Sequence, residues 1–156
     1  MTLPPNHARF DALFRAAAER HGLLWPLLKA QAIAESNLNG FAVSKAGACG
    51  LTQFMPKTWA ETMGDDASPF APAHAIEAQG RYLRRLIDLL DTDDLDAVLA
   101  AYNWGPSRVK RHLALHDGEV VPSELPAETR RYLATIRALM DELSEPDAIS
   151  NDHGLE

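Results

Sequence analysis

The sequence has little cysteine and no long apolar run, and each shortage excludes a class of protein. Cys49 is the only cysteine, so no internal disulfide can form and the fold must depend on packing. The most apolar stretch, Leu23–Leu28, is far shorter than the roughly 20 residues that span a bilayer, so we expect no membrane span. The N-terminal MTLPPNHARF has neither a basic leader nor an apolar core, so we expect no secretory signal.

Basic side chains are also fewer than acidic ones. The chain has 15 Lys and Arg against 22 Asp and Glu, which gives a formal net charge of −7. This balance disfavours phosphate backbones as main partners, so we expect no nucleic acid. A length of 156 residues with 46% hydrophobic residues is typical of one soluble globular domain. We therefore predict a single domain over residues 1–143 and an acidic, flexible tail over residues 144–156.

Apolar side chains recur at helical rather than strand-like spacing along most of the chain, which predicts an all-α fold. A glycine-containing loop, Asn37–Gly50, is the only place where we expect a minor β-hairpin, and Gly50–Phe54 is predicted as a short helical piece. The predicted helices are Phe10–His21, Trp25–Ser36, Pro56–Met63, Ala73–Leu90, Leu95–Tyr102, Ser107–His116 and Ala127–Leu143.

Glu35 is the first candidate functional residue. It follows the apolar run QAIA and precedes the loop, so its carboxyl group can project from a buried helix end into a cleft. A carboxyl group moved out of water has a raised pKa, and it can then donate a proton at neutral pH and take one back later. The alternative is a solvated residue at a helix end, which is the usual setting of glutamate.

Three sequence blocks, the first of which begins at Glu35, bear on the function of this residue. Glu35–Trp59 contains a Glu-Ser pair, then AVSKAGACGLTQ and MPKT; Ala101–Pro106 reads AYNWGP, and Leu125–Tyr132 reads LPAETRRY. In this order the blocks resemble the soluble lytic transglycosylases, goose-type lysozyme-like enzymes that cut bacterial peptidoglycan (murein). The resemblance implies a lysozyme-like helical domain with an active-site cleft. Thr52 and Trp104 depart from it, standing where the family usually has methionine and alanine.

The same resemblance implies the roles of individual residues. Glu35 would be the sole catalytic acid and base, and Ser44 would lie near its carboxylate, although a serine that stabilises a turn is the alternative. Tyr132 also shares an apolar stripe with Ile136 and Leu139, so packing is favoured for it. Trp104 would either stack on a sugar ring or fill core volume. The expected substrate-binding residues are Ser44, Gln53, Met55, Tyr102, Asn103 and Tyr132.

The implied reaction is cell wall degradation by a lyase. It cleaves the β-1,4 bond between N-acetylmuramic acid and N-acetylglucosamine and forms a 1,6-anhydro sugar, with no metal and no cofactor. The expected partner is the glycan strand of bacterial peptidoglycan. We expect the protein to be a monomer that acts at the cell wall or in the periplasm. The short chain without a leader fits a phage lysis or virion protein, or an excised domain, better than a complete periplasmic enzyme.

Two other functions stay open on the sequence. A hydrolytic lysozyme on the same scaffold would use Glu61, Asp65 or Asp66 to activate water. A weak glycan-binding or structural module, for example in a phage particle or a secretion machine, would need no catalytic residue. His112 and His116 are four residues apart and could share a zinc ion, but no third ligand is evident. Cys49 is read as a small packed residue.

Overall fold

Seven α-helices form close to the predicted positions. The computed structural model of the protein describes residues 3–144, and in this range the chain forms no named strand, so the all-α prediction is confirmed. Two 3-10 helices, His7–Phe10 and Pro122–Glu124, accompany the α-helices. The α-helices are α1 Asp11–His21, α2 Trp25–Ser36, α3 Pro56–Met63, α4 Pro72–Leu90, α5 Leu95–Trp104, α6 Pro106–Leu115 and α7 Ala127–Leu143.

Local residues explain where the helices begin and end. Helices α2, α3 and α6 have a proline in the first turn, where its missing N–H would have had no helical partner. Gly22 ends α1 in the left-handed region at φ 65°, which glycine adopts without strain. Asp94 caps α5, since its side chain accepts a hydrogen bond of 3.0 Å from the Asp96 N–H.

The segment Gly50–Phe54 is a turn, so the helical piece predicted there is wrong. Positive φ angles at Gly50 (79°) and Gln53 (53°) interrupt any helix, because a right-handed helix needs negative φ throughout. Isolated antiparallel bridges instead pair Cys49 with Val43 and with Phe54. The first of these bridges lies inside the segment where a minor hairpin was predicted.

The described chain divides into two compact units. The first contains residues 3–81 and 136–144, and the second contains Tyr82–Thr135. Helices α4 and α7 therefore each contribute residues to both units. The single domain over residues 1–143 stays a prediction. Among the largest fully buried side chains are Phe14, Leu27, Leu28, Leu51, Ile76 and Leu139 in the first unit and Leu83, Leu86 and Leu99 in the second.

Buried polar contacts fix α2 within the first unit. Lys29 is 1% exposed, and its Nζ lies 2.7 Å from Asp11 Oδ1 of α1 and 2.8 Å from His7 Nδ1. On α4, Gln79 is fully buried, and its Nε2 donates a hydrogen bond of 2.8 Å to the side-chain oxygen of Gln31. Breaking such a buried pair by removing one partner is costly, so these contacts hold the helix that carries Glu35.

The last part of the chain falls largely outside the described residues. Of the predicted acidic tail, residues 145–156 lie outside them, and Ser144 is described immediately after α7. Among the helices of residues 3–144, none combines the length and apolar character needed to span a bilayer.

Candidate active site

Glu35 lies in the last turn of α2 and is half-buried. The next residue, Ser36, donates its hydroxyl to the Leu51 carbonyl oxygen at 2.7 Å and to the Ala32 carbonyl oxygen at 3.1 Å. Asn37 caps the end of α2: it adopts the left-handed region at φ 53°, and its N–H donates to the Ile33 carbonyl oxygen. Glu35 therefore lies where the end of α2 is joined to the following loop.

Ser44 lies on that loop and is exposed. Its hydroxyl oxygen accepts the Ala48 N–H at 2.9 Å, and its own N–H donates to the Ala48 carbonyl oxygen at 2.9 Å. A further bond of 3.0 Å runs from the Gly47 N–H to the Ser44 carbonyl oxygen. These three bonds are those of a serine that stabilises a turn, the alternative that the sequence left open.

Gln53 and Met55 occupy the end of the same loop. The side-chain amide of Gln53 donates to the Ala42 carbonyl oxygen at 3.1 Å and to the Gly50 carbonyl oxygen at 2.9 Å. It therefore holds two stretches of the loop together. Met55 stands immediately before α3 and is 42% exposed, so its thioether side chain is available at the surface.

A cavity of about 290 Å³ lies between this loop and α3. Its lining includes Cys49, Phe54, Trp59 and Asp65. The rings of Phe54 and Trp59 meet edge to face with centroids 5.5 Å apart, and the Trp59 indole N–H donates to the Ala67 carbonyl oxygen at 3.3 Å. Cys49 is half-buried and lines the cavity, so the packed role predicted for it stays a prediction.

The remaining predicted site residues belong to the second unit. Tyr102 and Asn103 lie in the last turn of α5 and are half-buried. The ring of Tyr102 packs against that of Tyr82 with centroids 5.3 Å apart. The side-chain oxygen of Asn103 accepts the Thr129 hydroxyl at 2.9 Å, so the AYN block and the ETRRY block are joined by a direct hydrogen bond.

Tyr132 and Trp104 differ in burial. Tyr132 is 8% exposed on α7, in agreement with the packing role favoured from its apolar stripe. Trp104 is half-buried, and its ring meets that of His112 edge to face, with centroids 6.4 Å apart. The Trp104 side chain thus packs on one side and keeps part of its surface accessible.

Three hydroxyl side chains fix segments that carry predicted site residues, each within its own unit, and the sequence prediction missed their roles. They are Ser36, Thr129 and Thr52, of which Thr52 is 1% exposed and donates to the Ala75 carbonyl oxygen of α4 at 3.0 Å. The departure at Thr52 therefore anchors the loop to α4. Ser36 and Thr129 fall inside the quoted blocks, so the Glu-Ser pair and the ETRRY block were the signals that could have identified them.

The rings of His112 and His116 lie against each other, with centroids 4.5 Å apart, and His112 makes a structural hydrogen bond. His112 Nε2 accepts the Val121 N–H at 3.0 Å, and burial, then the charge of His116, lower the pKa of His112 against a smaller opposing effect of Glu124. Within the described part of the chain, His, Cys, Asp and Glu form no group of three that could hold a metal ion. The carboxylates considered as activators of water, Glu61, Asp65 and Asp66, are all exposed.

Comparison with known proteins adds independent findings. The family model described as the transglycosylase SLT domain matches residues 12–119. The peptidoglycan transglycosylase gp16 of Escherichia phage T7 is 36% identical over 105 residues, which cover 64% of this chain and 8% of that protein. The membrane-bound lytic murein transglycosylase F of Stutzerimonas stutzeri is 32% identical over 116 residues, covering 71% of this chain and 24% of that protein.

The fold agrees with solved structures. The 70 kDa soluble lytic transglycosylase of Escherichia coli matches with a TM-score of 0.74 and 26% identity, over 85% of this chain and 24% of that chain. The lysozyme-like fold predicted from the sequence is thereby confirmed. The chain spans less than a quarter of the length of each of these three proteins. Because the family model matches more than half of the chain, the chain belongs to the transglycosylase SLT domain family.

Proposed function

We propose that the chain is a peptidoglycan lytic transglycosylase with Glu35 as its sole catalytic acid and base. The observation that carries the proposal is the half-buried position of Glu35 at the end of α2, joined to the loop through Ser36 and Leu51. The phage and bacterial relatives are a peptidoglycan transglycosylase and a lytic murein transglycosylase, which supports the same activity here. A carboxyl group partly withdrawn from water at a fixed position is suited to proton transfer in both directions.

The proposed reaction has two proton transfers. Protonated Glu35 donates to the oxygen of the β-1,4 bond, and the bond from that oxygen to the muramic anomeric carbon breaks. The acetamido oxygen of the substrate stabilises the positive charge on that carbon, which replaces the second carboxylate of most glycosidases. Ionised Glu35 then takes the proton of the muramic C6 hydroxyl, whose oxygen bonds to the anomeric carbon. The products are a free N-acetylglucosamine end and a 1,6-anhydromuramic end.

The substrate-binding roles of the other residues are part of this proposal. Met55 offers an exposed thioether, while Gln53 shapes the loop with its amide nitrogen. In the second unit, Thr129 orients the amide of Asn103, which stands next to Tyr102. Since Glu35 alone performs both proton transfers, the chemistry needs no second copy of the chain, and we expect the protein to act as a monomer.

Mass spectrometry of products from purified peptidoglycan tests the proposal. We expect anhydromuramic products from the unmodified chain, and none above background from Glu35→Gln, with circular dichroism unchanged. Glu61→Gln is the matched control, because its carboxylate is exposed, and it should retain the activity. Products heavier by one water would identify a hydrolytic lysozyme instead. Glycan binding without cleavage by the unmodified chain would identify a binding module.

A further inference from the structure

A groove of about 340 Å³ opens beside the end of α2. Its lining includes Arg9, Asn37, Asn39, Phe41 and Phe70, all in the first unit. Asn37 is the residue that caps the end of α2, only two positions after Glu35. The groove therefore begins at the residue that caps the helix of Glu35, although Glu35 itself is not one of its lining residues, and its volume falls within the range of small-ligand sites.

Exposed aromatic rings form the apolar part of the groove. The side chain of Phe41 is 83% exposed and that of Phe70 is 39% exposed. A methyl group added at Gly40 would contact Pro72 Cγ at 3.8 Å and the Phe70 carbonyl oxygen at 3.9 Å, so the Phe41 loop lies close to the Phe70 segment. Two exposed rings gathered in one groove, rather than scattered singly, are typical of an interaction site.

The polar part of the groove is cationic. The guanidinium of Arg9 donates to the carbonyl oxygens of Asn6 at 2.8 Å and Leu38 at 2.6 Å, and its Cζ lies 4.7 Å from the ring centre of Phe10. Carbonyl oxygens position the group but do not neutralise it, and no carboxylate in residues 3–144 forms an ion pair with Arg9. A guanidinium carries five N–H donors, so donors remain for an anion.

The side chain of Asn39 fixes the backbone of the loop at Phe41. Its side-chain oxygen accepts the Phe41 N–H at 3.0 Å, which fixes the loop at Phe41 and leaves the side-chain NH₂ group as a donor at the exposed surface. The side chain of Asn37 is also exposed. Carboxamide donors beside a guanidinium and two phenyl rings suit a ligand that has carbonyl groups, at least one carboxylate and some apolar surface.

We propose that this groove binds the peptide stem of peptidoglycan through the carboxylates of that stem, with Arg9 as the anion-binding residue and Phe41 as the apolar contact. The inference rests on the proposed function, because the stem is attached to the same muramic sugar whose anomeric bond Glu35 would cleave. A chain with a net charge of −7 repels anions in general, so a local cation is required wherever an anionic substituent is bound.

Equilibrium binding tests the groove without turnover. In the Glu35→Gln background, glycan oligomers that carry stems should bind about tenfold more tightly than oligomers stripped of their peptides, the effect of one charge-assisted hydrogen bond. Adding Arg9→Gln or Phe41→Ser should bring the two affinities to within about twofold of each other. Leu24→Ser is the matched control, because Leu24 is 62% exposed and does not line the groove, and it should keep the preference.

The outcomes separate this inference from the proposed function. Equal affinity for both oligomers, or a preference that survives both Arg9→Gln and Phe41→Ser, overturns the groove as a stem-binding site. Since Arg9 also bonds to the Leu38 carbonyl oxygen, Phe41→Ser provides a test that leaves that contact intact. Absence of anhydro products from the unmodified chain, with the binding preference retained, would contradict the proposed function alone.

Discussion

Single hydroxyl groups hold the loop beside Glu35, and Thr52 gives a direct test. Its hydroxyl is buried and bonds to the Ala75 carbonyl oxygen. We expect Thr52→Val, which keeps the shape and loses that bond, to lower the free energy of unfolding by about 1 kcal/mol. Thr52→Met, which introduces the residue usual in the family, should cost about 1–3 kcal/mol because the longer side chain overpacks a filled site.

Urea unfolding of both Thr52 variants measures these losses. Thr58→Val is a matched control, since Thr58 is half-buried on α3 and its hydroxyl forms no long-range hydrogen bond within residues 3–144; it should change the unfolding free energy by less than about 0.5 kcal/mol. If Thr52→Met proved as stable as the unmodified chain, the loop would not depend on the bond to α4, and the explanation of this departure would be wrong.

Residue roles could be predicted where the information is local. The position of Glu35 at a helix end follows from the apolar run before it and the loop after it, and the turn bonds of Ser44 reach only as far as Ala48. The buried Lys29 pairs with Asp11, 18 positions away, and Asn103 pairs with Thr129, 26 positions away. Spacing within one helix contains no information on such pairs, so the sequence predicted neither.

Among the elements, α6 offers a pH-dependent contact. His112 is 5% exposed and accepts the Val121 N–H through Nε2, which requires a neutral ring. Burial, followed by the charge of His116, lowers its pKa below the ordinary 6.5, and Glu124 opposes the shift. The unfolded chain therefore binds a proton at this residue more readily, so its contribution is complete above about pH 6.5 and is lost as pH falls through the lowered pKa.

Unfolding free energies at about pH 8 and about pH 5 test this contribution. We expect the unmodified chain to lose more stability on acidification than His112→Gln, in which an amide oxygen can still accept the Val121 N–H but does not titrate. His116 is present in both proteins, so the difference between them isolates His112. Parallel stability curves for the two proteins would show that His112 has the same pKa in the folded and unfolded chain, which would contradict the effect of burial on that pKa.

Helix boundaries were predictable because their signals are adjacent in sequence. Proline in the first turn and Gly22 at the end of α1 act within a few residues, and the predicted ranges agree with the structure to within one or two positions at most ends. The turn at Gly50–Phe54 was mispredicted because its geometry depends on distant contacts. A side chain at Gly50 would collide with the Pro69 carbonyl group, which a local pattern does not reveal.

At the scale of the whole molecule, the helical spacing of apolar residues predicted the class of fold but not the division into units. An all-α chain with a mixed, mainly acidic surface follows from periodicity and charge. The boundaries at Arg81 and Ile136 fall inside α4 and α7, and an unbroken apolar stripe does not show where a helix passes from one compact unit to another. The sequence at these two positions has no linker-like composition that would indicate a boundary.

The net charge of −7 gives the whole molecule a long-range repulsion toward stem-bearing glycan, which is itself anionic. The Debye length falls from about 30 Å at 0.01 M salt to about 8 Å at 0.15 M, so added salt should raise kcat/KM for soluble stem-bearing strands by a few fold. Asp141→Lys brings the formal charge from −7 to −5 at an exposed site, and it should weaken this salt dependence, whereas Asp141→Glu should leave it unchanged.

The effect of the net charge and the effect of Arg9 in the groove respond to salt in opposite directions, so an experiment can distinguish them. Salt screens the attraction of stem carboxylates to Arg9 as well as the repulsion by the net charge, and the two effects change the rate on intact strands in opposite directions. Initial rates of the unmodified chain and of Arg9→Gln on intact strands separate them. Arg9→Gln keeps the repulsion and loses the attraction, so its rate should rise more steeply with salt. Stripped strands keep the lactyl carboxylate of each muramic sugar but lose the carboxylates of the stem, so their rate should rise less with salt; if it rose as steeply as the rate on intact strands, charge repulsion would not be the cause.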